Sequence, residues 1–259
     1  MEWTGPDSFS VLGVPVSIVD MPRALAIIDG WIAARRHEFV CLRDVHGIMA
    51  CQDDPDLMEI HHRAGLVVPD GVPLVWFGRL MGHRDIRRVC GPDLMPALCQ
   101  HSAANGYRHF FYGGAPGVAE RLVERLRARF PGLEVAGIYA PPFRPLSEEE
   151  DKAVVQMIDD SGADIVWVGL STPKQERWMA DHLGRLEAPV MLGVGAAFDF
   201  HAGVIGRAPV WMRNSGLEWL FRLASEPRRL WRRYLVMAPK FLVLAALQLL
   251  GLRGRGASR

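Results

Sequence analysis

The chain has 259 residues, of which 49% are hydrophobic and 23% charged, which is the composition of a globular protein with one large or two small domains. A net charge of +1 gives no reason to expect a nucleic acid partner. The charge is unevenly distributed, because the segment from Arg222 onward carries nine Lys or Arg and one acid, whereas the first 221 residues carry −7. This asymmetry predicts a mildly acidic body with a basic tail that meets an anionic partner.

The cysteines and the first residues indicate the compartment. No two of the four cysteines are spaced as C-x-x-C and no histidine cluster accompanies them, which excludes a zinc site and predicts reduced thiols. The N-terminal residues lack the basic region and apolar stretch of a secretory signal peptide. We therefore expect a cytoplasmic protein.

The apolar pattern predicts strands that alternate with helices. In the first part of the chain we expect a hairpin at 8–20, strands at 38–42 and 66–68, and helices at 21–36, 46–64 with a break near Pro55, 73–81 and 92–105. Further strands are expected at 109–112, 133–139, 164–170 and 189–194, and helices at 116–130, 147–161 and 173–186. This alternation predicts an α/β fold, a Rossmann-like parallel sheet flanked by helices that binds ligands at the carboxyl ends of its strands.

The C-terminal part shows no strand pattern. One helix is expected at 211–223, and a second begins at Pro227 and extends to about 252. We therefore divide the chain into an α/β core, 1–210, and a helical appendage, 211–259. Phe241–Leu252 is almost wholly apolar but shorter than the ~20 residues that span a bilayer, so we expect a peripheral helix on anionic lipid. Burial against the body or in a homo-oligomer is the alternative.

Five loops that contain glycine follow predicted strands. They are Pro69–Gly71, Gly113–Gly117, Gly169–Glu176, Gly193–Gly195 and Asp199–Gly203. Glycine allows close approach of a ligand, and a following helix N-terminus favours an anion such as diphosphate. An ordinary turn explains any one of them, and Gly113–Gly117 does not fit the G-x-G-x-x-G spacing of a dinucleotide fold. All five at one sheet edge predict a ligand site.

Two of these loops carry residues suited to sugar transfer. Asp70 is placed where a general base would sit, although Pro-Asp-Gly is also a frequent turn. Lys174 and Gln175 can reach a diphosphate or sugar hydroxyls. The alternative for this helix start is a capping box with Thr172 as N-cap and Gln175 as its partner.

Six stretches of the chain resemble one known family. They are LVVPDGVPLVW, RVCGPDLM, FFYGGAPGVAERL, VGLSTPKQERWM, GVGAAFDFHAG and RAPVWMRNSGLEWLFRLASEPRRLWRRYL. They run in unbroken order from about Leu66 to Leu235, and in them the chain is similar to the WecB/TagA/CpsF family, glycosyltransferase family 26, particularly its exopolysaccharide members. The resemblance implies a hexosyltransferase that uses a UDP-sugar donor, such as an N-acetylmannosaminyltransferase, a glucosyltransferase or a related enzyme. It also implies a polyprenyl-diphosphate-linked saccharide acceptor and inversion at the anomeric carbon.

The resemblance further implies a place on the inner face of the bacterial plasma membrane and roles for particular residues. The proposed general base of the family falls on Asp70, and the appendage arginines that close its site fall on Arg222, Arg229 and Arg232. The residues expected to bind substrates are Asp44, His46, Gly71, Arg88, Gly113, Gly114, Lys174, Gln175, Gly195 and Asp199.

One stretch departs from the family pattern. Many members carry a threonine and an asparagine before the first active-site helix, and here these positions are Leu42 and Asp44. We expect Asp44, Arg43 or His46 to take the place of those residues. This difference indicates a donor other than the N-acetylmannosamine of the teichoic-acid members.

The D-x-D pattern within Asp53–Asp56 lies between predicted helices and is expected to cap a helix, so no D-x-D triplet is available to hold a metal. We therefore expect no cofactor and no metal, with Arg229, Arg232 and Arg233 on one helix side binding diphosphate. A solvated or lipid-facing basic stripe is the alternative for each arginine. Two other functions stay open at this point: a nucleotide-binding oxidoreductase, and a non-catalytic membrane-associated scaffold.

Overall fold

The computed structural model describes residues 5–252, with the backbone alone for Asn214. The strands are β1 Ser8–Val11, β2 Val14–Ser17, β3 Glu38–Arg43, β4 Leu66–Pro69, β5 Arg108–Gly113, β6 Glu134–Tyr139, β7 Ile165–Gly169 and β8 Val190–Gly193. The helices are α1 Met21–Ala33, α2 Val45–Asp53, α3 Pro55–Arg63, α4 Val72–Leu80, α5 Gly91–Asn105, α6 Val118–Arg129, α7 Glu148–Ser161, α8 Lys174–His182, α9 Ala197–Ala202, α10 Val210–Asn214, α11 Glu218–Ser225, α12 Pro227–Trp231 and α13 Ala238–Leu249, and a π-helical segment, Arg232–Met237, joins the last two.

Six of the strands form one parallel sheet in the order β4-β3-β8-β7-β5-β6, and β1 and β2 form a separate antiparallel hairpin. Successive side chains of a strand enter opposite layers of the core. Phe110 and Val166 pack on one face of the sheet, whereas Phe111 and Trp167 pack on the other. Helices cover both faces, as continuous apolar strands require. The predicted α/β fold is confirmed.

Two predicted details are confirmed and two are wrong. Asp54 caps α3, because its carboxylate accepts a hydrogen bond from Leu57 N at 3.0 Å, and α12 begins at Pro227. The capping box at α8 is wrong, because the N-cap is Pro173 and no side chain caps the helix. The loop predicted at Asp199–Gly203 is also wrong, because these residues are the end of helix α9 and its C-cap glycine, and six helical residues are too few to show a period in the sequence.

The appendage is helical as predicted but divided differently. The single helix predicted at 211–223 is two helices, α10 and α11, because Gly216 turns the chain with a φ of +77°. The second helix continues from α12 to α13 through the π-helical segment, just before Pro239. Proline donates no hydrogen bond and crowds the carbonyl four residues earlier, and a π-helical turn relieves that crowding.

Helix α13 lies against the core with one face only. Phe241 and Ala245 are buried in the core layer that contains α2. The side chain of Gln248 joins the same face to the β1–β2 hairpin, accepting from Leu12 N at 2.8 Å and donating to Ser10 O at 2.7 Å. The opposite face exposes large apolar residues, namely Leu242, Val243, Leu249 and Leu250. Among residues 5–252, no helix is long and apolar enough to cross a membrane.

Candidate active site

Two carboxylates follow neighbouring strands at one corner of the sheet. Arg43, the last residue of β3, pairs in register with Pro69 of β4, so that Asp44 and Asp70 leave the sheet side by side. The Arg43 carbonyl accepts hydrogen bonds from Asp70 N at 2.7 Å and from Gly71 N at 3.2 Å. A side chain at position 71 would lie 3.2 Å from Asp44 Cα, so Gly71 allows the two loops this close approach.

Two arginines bring positive charge to these carboxylates. Arg88 Nε donates to the Asp70 carbonyl oxygen at 2.6 Å, and its Nη2 lies 3.8 Å from Asp70 Oδ1. The same Nη2 donates to Glu218 Oε2 at 2.8 Å. Arg233 of the π-helical segment forms an ion pair with Asp44. Because Glu218 and Arg233 belong to the appendage, two ion pairs join the appendage to the strand ends. We call this group of charged side chains, Asp44, Asp70, Arg88, Glu218 and Arg233, the acidic recess.

The two carboxylates of the acidic recess have opposite pKa shifts. Burial raises the pKa of Asp70 to about 6, with Asp44 and Glu218 adding to the shift and Arg88 opposing it, although 32% of the Asp70 side chain stays exposed. Burial acts on Asp44 in the same direction, but the Arg233 guanidinium, the Gly47 N–H and His46 together outweigh it and lower the pKa of Asp44 below its usual value. Asp44 is therefore held as an anion, whereas Asp70 is poised to exchange a proton near neutrality.

Asp44 also organises the start of α2. Its carboxylate accepts from Gly47 N at 3.0 Å and so caps the helix. His46, in the first turn, is half-buried, and its pKa is lowered by burial and by Arg233. Both residues predicted to bind substrate here thus lie within reach of the charge of Arg233.

A buried ion pair lies directly beside the acidic recess. Arg43 on β3 and Glu176 on α8 form this pair, with side chains 1% and 0% exposed. Glu176 Oε1 also accepts from Thr172 Oγ1 at 3.1 Å and from Gln175 Nε2 at 3.0 Å. The same Gln175 amide donates to Gly193 O at 3.0 Å. The pair fixes the loop after β7 against the ends of β3 and β8.

Two predicted substrate-binding residues at the start of α8 have different surroundings. Lys174 is exposed at the first position of the helix, so its ammonium group is available to an anion. Gln175 is buried, and its Oε1 finds no hydrogen-bond partner among the described residues. A side chain at Gly195 would lie 3.4 Å from that oxygen, so the Gln175 amide faces the loop after β8.

The paired glycines after β5 meet the loop after β7. At Gly113 the φ is +120°, and a Cβ would lie 2.7 Å from the backbone of Gly169. Gly114 N donates to the Gly169 carbonyl at 3.1 Å, and its own φ is +78°. Close packing of two strand-end loops therefore accounts for both glycines without a ligand, and their predicted role in substrate binding stays a prediction.

The three arginines predicted to close the site lie in the described appendage at different depths. Arg222 is half-buried, 5.6 Å above the ring of Phe200. Arg229 is exposed and pairs with Glu226 at 2.9 Å. Burial raises the pKa of Asp199, and the charge of Arg229 partly opposes that rise. Arg232 is exposed beside the ring of its neighbour Trp231. The structure thus gathers Arg222 and Arg229 around α9, and it directs Arg233 into the acidic recess.

Comparison with known proteins agrees with this architecture. A sequence model of the glycosyl transferase WecG/TagA/CpsF family matches residues 9–255. The chain belongs to this family. An N-acetylglucosaminyldiphosphoundecaprenol N-acetyl-beta-D-mannosaminyltransferase of Bacillus spizizenii is 34% identical over 179 residues, covering 69% of this chain and 67% of the relative. A protein of the same name in Bacillus subtilis is 29% identical over 188 residues, covering 73% and 71% of the two chains.

Family membership confirms the resemblance found in the sequence motifs, and it makes the chain a glycosyltransferase. The roles of individual residues in this transferase stay predictions. Sequence reasoning gave Arg233 no role beyond that of one of three neighbouring arginines, because its partner Asp44 lies 189 residues away in the chain. It also missed Glu218 and Glu176. The one available signal was the position of Glu176 directly after Lys174 and Gln175 in a family motif.

Proposed function

We propose that this transferase moves a hexose from a UDP-sugar to a saccharide linked to polyprenyl diphosphate, with inversion at the anomeric carbon, in the synthesis of an exopolysaccharide, capsule or teichoic-acid-type polymer. Two relatives are named for transfer to N-acetylglucosaminyldiphosphoundecaprenol, which supports a lipid-linked acceptor. Family membership favours this function over the oxidoreductase and the scaffold considered above.

The acidic recess is the observation that carries the proposed chemistry. Asp70 lies at a strand end with a pKa raised to about 6 by burial, so its carboxylate is a stronger base than an ordinary aspartate and is still ionised at neutral pH. It accepts the proton of the acceptor hydroxyl as that oxygen attacks the anomeric carbon. The bond to the UDP oxygen breaks, and its electron pair leaves with the diphosphate.

Positive charge is available for the departing diphosphate. The buried Nε atoms of Arg222 and Arg233 have no hydrogen-bond partner within residues 5–252, so both guanidinium groups have capacity to bind phosphate oxygens. Exposed Lys174, Arg229 and Arg232 add charge around the strand ends. Because diphosphate accepts more hydrogen bonds than Asp44 does, we expect Arg233 to shift part of its contact from Asp44 to the leaving group.

A transfer assay tests the proposed function. Purified protein is incubated with a panel of UDP-sugars and a polyprenyl-diphosphate N-acetylglucosamine acceptor, and the product is followed by mass spectrometry. We expect one donor to give a disaccharide-lipid with a β-linkage and free UDP. Failure of every UDP-sugar, with turnover of a sugar activated by another nucleotide, would show the donor assignment to be wrong.

Chelation is expected to leave transfer unchanged. We assign the charge of the leaving diphosphate to arginine side chains, which bind phosphate bidentately without a metal. The initial rate is measured with and without EDTA, and with added Mg²⁺ or Mn²⁺. An enzyme that is inactivated by EDTA and restored by either ion would contradict this prediction.

We also propose that the transferase binds the membrane through the outward face of α13. Deletion of the whole of α13 would not separate loss of membrane binding from loss of stability, because Phe241 and Ala245 belong to the core. Replacement of Leu242 and Val243 by serine, both on the exposed face, is expected to lower sedimentation with anionic vesicles while a soluble short-chain acceptor is still used. Salt should weaken binding by the intact chain without abolishing it. Unchanged sedimentation of the double variant would remove this face as an anchor.

A further inference from the structure

Helix α4 connects the acidic recess to the protein surface. It starts at Val72, directly after Asp70 and Gly71, and its inner side chains, Leu74, Val75 and Phe77, are buried in the core. Its outer face is apolar as well, since Trp76 is 55% exposed and Leu80 is 74% exposed. The two are four residues apart and so lie on the same side of the helix. Where exposed apolar side chains join into a contiguous patch, the patch marks a contact with a membrane or a partner molecule.

The outer face of α4 adjoins the exposed apolar face of the appendage. The turn at Gly216 lies against Trp76, so that a Cβ there would be 3.6 Å from the indole ring. At the other end, Leu80 and Met81 share a groove of about 240 Å³ with Gln248 and Leu249 of α13. Core and appendage therefore present neighbouring apolar surfaces.

The charges around this face are mainly positive. Arg79, Arg84 and Arg87 are exposed on α4 and in the loop after it, with Asp85 as the one acid among them. On the appendage side, Lys240 is exposed on α13. An apolar strip bordered by arginines matches the interface of an anionic bilayer, where the apolar groups enter the acyl boundary and the cations meet phosphates.

We propose that the outer face of α4 is a second membrane-binding element, which acts together with the outward face of α13. This inference rests on the proposed function only in taking the membrane as the site of the acceptor. Contact through both core and appendage fixes the orientation of the core. Because α4 starts directly after Asp70 and Gly71, contact along its outer face places the acidic recess near the level of the lipid headgroups. The diphosphate of a membrane-bound acceptor lies at that level.

Vesicle binding by surface variants tests this proposal in the absence of any substrate. We compare the wild-type chain with Leu80→Ser and with Trp76→Ser/Leu80→Ser, using vesicles of phosphatidylethanolamine and phosphatidylglycerol. Met157→Ser on α7 is the matched control, because Met157 is also an exposed apolar residue, at 42%, but lies far along the sheet near β6. Thermal unfolding of each variant establishes that it is folded, and Leu80→Ser serves alone if the Trp76 change disturbs the turn at Gly216.

We expect the affinity for vesicles to fall about tenfold or more in the double variant and severalfold in Leu80→Ser. Met157→Ser should bind vesicles as the wild type does. Folded variants that partition like the wild type would overturn the proposal. So would a change in self-association by sedimentation velocity with unchanged vesicle binding, since that result would make α4 an interface between copies. Because the assay contains no sugar donor, a failed transfer reaction leaves its outcome unaffected.

Discussion

Replacement of Asp70 by asparagine is expected to lower turnover by about 100-fold or more, while UDP affinity and the fold are retained. Asparagine keeps the size of the side chain and its place beside Arg88, but it cannot accept the proton of the acceptor hydroxyl. The measurement is the steady-state rate with a saturating donor and acceptor, together with UDP binding by calorimetry. Near-normal turnover in this variant would remove Asp70 from the mechanism.

The pH dependence gives a second test of the same assignment. With the pKa of Asp70 raised to about 6, kcat/KM of the wild type should fall as the pH drops through that value, because the base becomes protonated. The residual activity of Asp70→Asn should lack this acidic limb. An acidic limb that persists in Asp70→Asn would assign it to another group.

Stability distinguishes loss of the base from loss of the fold. The carboxyl group of Asp70 has a higher pKa in the folded state than in the unfolded state, so in its protonated form it stabilises the folded state. This stabilisation is complete below the unfolded pKa and is lost as the pH rises through about 6. Asp70→Asn should therefore be at least as resistant to denaturant at pH 7 as the wild type. Asp151→Asn is a suitable control, since Asp151 is also partly buried and ion-paired, with Arg185, but lies on α7. We expect normal turnover from that variant.

The parallel sheet could be predicted from the sequence because its signals are local. Strands such as 109–112 are short apolar runs, and amphipathic helices separate them, so periodicity and length were sufficient. A parallel sheet also places the residues after its strands, Asp44 and Asp70 among them, at one edge, but only the structure shows that β3 and β4 are neighbours. Gly71 belongs to one of the predicted strand-end loops, but its close approach to Asp44 is seen only in the structure.

The charge pairing within the site could not be predicted in this way. Arg229, Arg232 and Arg233 are equivalent by helical spacing, and only the packing of the appendage directs Arg233 to Asp44. The π-helical segment rotates the residues after Trp231 relative to a regular α-helix. No periodic pattern in the sequence predicts a π-helical segment at this position. For Gln175 the sequence left two roles open, substrate binding and helix capping. It could not choose between them, because the burial of Gln175 depends on its contact with Gly193 at a distant strand end.

The largest effect on stability is expected from Glu176→Gln. Arg43 and Glu176 are both fully buried, and Arg43 Nε and Nη1 and Glu176 Oε2 have no further partner among the described residues. Removing one charge leaves the other uncompensated in the interior, and such changes cost about 3–5 kcal/mol of unfolding free energy. The measurement is denaturant unfolding at pH 7, with Asp151→Asn, whose pair with Arg185 is only partly buried, as the control, for which we expect a loss of about 1 kcal/mol or less.

The double variant Arg43→Met/Glu176→Met separates pairing from burial. Two apolar side chains of similar length need no compensation, so the double variant should recover much of the stability that Glu176→Gln loses. Acid should act in the same direction as Glu176→Gln. Burial acts to raise the pKa of Glu176, but Arg43 and the hydrogen bonds from Gln175 and the Glu176 backbone together outweigh it, and the pKa is lowered. The stability contribution is therefore present at neutral pH and is lost as the pH falls through the lowered value.

The position of this pair gives the prediction a consequence for catalysis. Arg43 directly precedes Asp44, and Glu176 directly follows Gln175, so the pair holds two predicted substrate-binding residues at a fixed separation. In the folded double variant we expect the KM for the donor to rise more than kcat falls, because Asp70 and its surroundings are left intact. A variant with restored stability and an unchanged KM would show that the pair serves the fold alone. A loss below 1 kcal/mol in Glu176→Gln would show that water reaches the pair.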